Sequence, residues 1–132
     1  MIRFCAASLA VALAVLPVAA AEPLPEAPSS TIGYPDVDTA LAALHAKPGV
    51  VFHEQGGWLV ADDDAEKTIW SFPPKGHPAW PSAVKRQLVS DSAGISVDMK
   101  VHCQASKTAC DDLVRTFEKL NAQMSASLRG QH

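Results

Sequence analysis

The sequence predicts an α+β fold: one antiparallel sheet of about five strands, with an N-terminal and a C-terminal helix packed on one face, in the order α-β-β-β-β-β-α. Three observations predict it. Ile95, Val97, Met99, Val101 and Cys103 alternate with Ser96, Asp98, Lys100 and His102, the period of a strand with one apolar side. Cys110, Leu113, Val114, Phe117, Leu120 and Met124 instead recur at helical spacing. Between these patterns and an N-terminal helix, apolar runs are separated by glycine, acidic and proline-rich breaks that read as strand ends.

The chain opens with Met1-Ile2-Arg3, an apolar run from Phe4 to Leu16, and Pro17-Val18-Ala19-Ala20-Ala21-Glu22. A charged start, an apolar centre and an A-x-A site form the plan of a cleavable signal peptide, with cleavage expected after Ala21. The apolar run is shorter than the roughly 20 residues a membrane span requires. Removing 21 of 132 residues leaves 111, enough for one domain and too few for two. Residues 22–33, rich in proline and small polar side chains, read as a flexible leader, and the domain is expected over 34–128.

Asp36 is placed to cap a helix running to about Ala46, because Pro35 precedes it and Pro48-Gly49 stops it. Val37, Ala40, Leu41 and Leu44 give that helix one apolar face, with His45 beside it. Strands are expected over 50–54 and 58–61 around the hairpin signal Gln55-Gly56-Gly57, and over 67–72 after the acidic turn Asp62-Asp63-Asp64-Ala65-Glu66. Pro73 and Pro74 end the third strand, since proline donates no ladder hydrogen bond. Residues 73–81 form an irregular connection, and strands over 83–90 and 95–103 flank a turn in which Gly94 suits a positive φ. The last helix is expected from about Ala109 to Leu128, with Thr108 and Asp111 resembling a capping box.

Composition excludes several function classes. The 11 Lys+Arg less Arg3, against 14 Asp+Glu, give a mature net charge of about −4, which is no footprint for nucleic acid or anionic lipid and is compatible with a monomer. Signal cleavage removes Cys5 and turns three cysteines into the pair Cys103 and Cys110. Their C-x6-C spacing is neither a redox C-x-x-C nor a zinc ribbon, and strand and helix periods both aim them at the core. A structural disulfide follows, in a compartment that permits one.

No set of residues announces catalysis. The chain has no G-x-S-x-G elbow, its histidines share no ligand spacing, and the acidic turn lacks the glycine and distal glutamate of an EF-hand. No catalytic residue, metal site or cofactor is expected; a small hydrolase would need carboxylates or histidines to converge in space. The most unusual stretch is Trp70-Ser71-Phe72-Pro73-Pro74-Lys75-Gly76-His77-Pro78-Ala79-Trp80-Pro81. Aromatic rings on a proline-restricted loop lose little entropy on binding, so Trp80 with His77 and Lys75 forms the expected contact site. Trp70 and Phe72 belong either to that site or to the cover of the sheet.

The run Gly76-His77-Pro78-Ala79, with Val84-Lys85-Arg86 and the segment from Cys103 through Cys110-Asp111 to Phe117-Glu118, resembles small secreted proteins of Gram-negative proteobacteria that carry no established activity. The likeness spans roughly residues 34–124 and implies a periplasmic address and the helix–sheet–helix order. Sequence therefore points to a non-catalytic periplasmic binding protein, such as an inhibitor, immunity or envelope accessory protein, that recognises a protein partner. A small-ligand or cell-wall glycan binder using the aromatic loop is the alternative.

Overall fold

The computed structural model describes Ala14 and residues 32–130. The signal segment expected over 1–21 (Ala14 apart), Cys5 and the leader up to residue 31 lie outside the described residues. Along the chain run α1 (Val37–Ala46), β1 (Val51–Gln55), β2 (Trp58–Asp63), a single 3-10 turn (Asp64–Glu66), β3 (Thr68–Phe72), β4 (Ser82–Asp91), β5 (Gly94–Cys103) and α2 (Lys107–Arg129). The five strands form one antiparallel sheet in sequence order, β1-β2-β3-β4-β5.

Local chemistry accounts for the boundaries. The Asp36 carboxylate accepts from the Thr39 N–H at 2.7 Å and starts α1. Gly56 and Gly57, at φ 58° and 85°, supply the two positive-φ positions that a tight hairpin between β1 and β2 requires. At the other hairpin, Asp91 Oδ1 accepts from the Ala93 N–H at 2.8 Å, and Gly94 at φ 118° opens β5. α2 starts earlier than its apolar stripe implies. Ser106, not Thr108, is the cap, its hydroxyl accepting from the Ala109 N–H at 3.2 Å. Asp111 is instead drawn to Lys107 Nζ, 2.6 Å away.

Strand register divides the sheet into two faces. Ala61, Trp70, Lys85 and Lys100 are cross-strand partners and share one; Val60 and Ser71, with Val84 and Val101, share the other. On the first face Val37, Ala40 and Leu44 of α1 pack with Ala61, Trp70, Phe72 and Ala83. On the second, Leu113 and Phe117 of α2 pack with Val84, Trp58, Met99 and Val101. The expectation that both helices share one face is thus corrected: the sheet is sandwiched between them. Within β2, Trp58-Leu59-Val60-Ala61 is apolar at every position, as a strand covered on both faces demands.

Ile32, at 1% exposure, belongs to the α1-side core, so packing begins inside the stretch read as leader. β5 keeps its alternation from Val97 to Val101, whereas Ile95 at its start is exposed and His102, expected toward water, is half-buried. Cys103 and Cys110 lie at disulfide distance, with Cα atoms 5.8 Å apart, and tie the end of β5 to the first turns of α2. No helix among the described residues is long and apolar enough to cross a membrane.

Candidate functional site

Residues 73–81 close one end of the sheet and are held by backbone bonds at several points. The His77 N–H donates to the Pro74 carbonyl at 2.9 Å and the Trp80 N–H to the His77 carbonyl at 3.0 Å, giving two successive turns. The peptide between Trp80 and Pro81 is cis. Beyond it the Gln104 N–H donates to the Pro81 carbonyl at 2.9 Å, and Gln104 Oε1 accepts from the Val37 N–H at 3.1 Å. The loop is therefore fastened both to the end of β5 and to the start of α1. Ala79 is buried on the α2 side, and its carbonyl accepts a hydrogen bond from the Ser82 hydroxyl.

This anchoring sorts the aromatic and basic residues of the loop. Trp70 and Phe72, each 3% exposed, are core of the α1 face and stack at 6.3 Å between ring centres. Trp80 is 43% exposed and lines a groove of about 380 Å³ with Lys75, Phe72, Leu59, Val37 and Leu41. Asp38 and Glu54 place two carboxylates in the same lining. His77 goes elsewhere. Its Nδ1 accepts from the Ala79 N–H at 3.0 Å, and its ring meets the edge of Trp58 at 5.0 Å, across the sheet from Lys75's groove. The loop thus brings Trp80 and Lys75 together with α1 and β2, and assigns His77 to the α2 side.

A second cavity on the α1 face, about 280 Å³, is lined by Ile32, Tyr34, Lys47, Asp63, Trp70 and Lys85. Its charges are already matched. Lys47 Nζ lies 2.5 Å from the buried Asp63 carboxylate, which holds the Lys47 ammonium above its ordinary value against the opposing effect of desolvation. Lys85 Nζ sits over the Trp70 ring at 5.4 Å. The acidic turn consequently has an internal partner in Lys47. Two further histidines are also engaged: His45 stacks on Phe52 at 3.9 Å, and His53 Nε2 lies 3.0 Å from Asp62. Among the described residues no group of three or more His, Cys, Asp or Glu side chains is arranged to hold a metal ion.

Comparison with protein-family models, curated proteins and solved structures finds no match to this chain. The site is therefore read from its own geometry. Two residues of that geometry escaped sequence reasoning, Trp58 and Arg86. Trp58 gathers His77 and Phe117 around it on the α2 face. Arg86 carried a signal in its strand: it alternates with Val84 and Leu88, so a cation occupies the register of apolar side chains.

Proposed function

We propose that this chain is a non-catalytic binding protein of the bacterial periplasm, carried there by a signal peptide cleaved after Ala21, and that it recognises a protein partner through the groove between α1 and residues 73–81. The observation that carries this reading is Trp80: a large aromatic side chain left 43% exposed over an apolar groove, on a loop tied at Pro81 through Gln104 to β5 and α1. A preorganised aromatic anchor of this kind dominates association energetics, because little ordering entropy is lost on contact. Asp38 and Glu54 against Lys75 leave the rim net acidic. The partner that fits is an apolar side chain with a lysine or arginine next to it. An inhibitor, immunity or envelope accessory protein acts by such a contact alone.

Affinity capture from periplasmic extract tests the reading. Wild type should retain a stoichiometric partner, Trp80→Ala should lose it, and Asp38→Lys should weaken it by like-charge repulsion. Capture that is unspecific, or unchanged by both substitutions, overturns it. Titration with muropeptides separates the glycan reading, which the same exposed ring favours: saturable quenching of tryptophan fluorescence that Trp80→Ala abolishes supports a glycan ligand, and a flat titration removes it.

A further inference from the structure

The geometry points to a ligand site on the opposite face of the sheet, where the Arg86 guanidinium binds the carboxylate of a small apolar acid in the groove between β2–β4 and α2. Arg86 pairs in register with Ile69 on β3 and Met99 on β5, in the layer that α2 covers. Its Cζ lies 5.1 Å from the centre of the Phe117 ring, and its Nε is buried without a hydrogen-bond partner. Among the described residues no carboxylate lies within ion-pairing distance of it. The acid on the same face by register, Asp62, is two strands away and is engaged by His53 at 3.0 Å.

A guanidinium stays charged, so removing it from water without a counter-charge is costly. Burial lowers its pKa, in keeping with that cost. Arg86 lines space fit for a ligand. Two adjoining cavities of about 260 and 330 Å³ share Gln55, Val60, Ser71, Arg86 and Leu120. Their other walls are Trp58, Thr116 and Phe117 on one side, and on the other Ile69, Met124 and the His53–Asp62 pair. Walls that include Trp58, Phe117, Leu120 and Met124, a guanidinium among them and a volume of about 300 Å³ describe a small-molecule site. The planar fork of a guanidinium matches a carboxylate, so the class assigned is a monocarboxylate on an alkyl or aryl body.

The inference is independent of the Trp80 groove. Decanoate is the probe, with decanol as its uncharged counterpart, added to the 15N-labelled protein. The Arg86 Nε–H resonance, assigned by its absence in Arg86→Gln, should shift saturably with decanoate and remain in place with decanol. Arg86→Gln should weaken decanoate binding by about tenfold or more, the loss expected for a hydrogen bond to a charged group. Arg86→Lys should bind between the two, and Trp80→Ala should bind as wild type. The wild-type titration stands even where a variant folds poorly. An Nε–H resonance unmoved by decanoate, or moved equally by decanol, overturns the proposal. The orphaned Nε and the other buried unpartnered atom on this face, Asn121 Oδ1, are then satisfied by water.

Discussion

Asp36 carries α1 on a single carboxylate. The Thr39 side chain and N–H both hold the Asp36 carboxyl below its ordinary 3.8, and Lys107 does the same for Asp111. A carboxyl whose folded-state pKa is depressed contributes stability above its unfolded value and loses it as pH falls through the folded one. Lys47 has the opposite sign. Raised above 10.5 by Asp63, it contributes fully below that value and loses its contribution as pH rises through the elevated pKa. These three groups therefore add no slope near neutrality. Asn caps a helix as well as Asp but does not titrate, so Asp36→Asn should melt like wild type at pH 7 and lose less of its thermal midpoint by pH 3. Equal losses in the two proteins would show that Asp36 does not set the acid limb. At this scale the sequence was legible for the Asp36 cap, fixed by neighbours a few residues away, while the exposure of Trp80 was left open between contact site and sheet cover. It grouped His77 with Trp80, whereas the side of the sheet that His77 takes depends on the two successive turns of the loop.

Strands and helices were legible as elements because period two and period 3.6 occupy separate stretches of the chain. The side of the sheet each helix covers was not, since a run apolar at every position has no outward face to read. Trp58-Leu59-Val60-Ala61 feeds both cores, Trp58 to α2 and Ala61 to α1. The Cys103–Cys110 link joins two elements whose periods agreed in advance on a common core. With a sequence separation of 7, it closes a short loop, and its removal should cost about 2–3 kcal/mol on a chain-entropy estimate. The Cys103→Ser/Cys110→Ser double variant should show that loss in denaturant melts. Thiol titration of the denatured, unreduced processed protein should find no free thiol; one per chain would refute the link.

Across the whole molecule, two cores separated by a sheet behave differently from one core shared by two helices. Val37 and Leu113 each sit in one of them. Val37→Ala and Leu113→Ala should therefore destabilise additively, within about 0.5 kcal/mol, as substitutions at distant sites do. A larger coupling energy in the double-mutant cycle would mean that the faces communicate through the sheet. The same separation lets the Trp80 groove and the Arg86 groove be occupied together, each formed against a different helix.

The strand order carries a consequence for the way this chain assembles. Every strand pairs with the one synthesised just before it, so each pairing step closes only a short loop, with little chain entropy lost in waiting for a distant partner. A polypeptide emerging N-terminus first can thus add strands one at a time, with no slot that must be left open for a later insertion. The long-range closure comes near the end. Gln104 reaches back across 67 residues to the Val37 N–H, so α1 gains that contact only after the whole meander has formed.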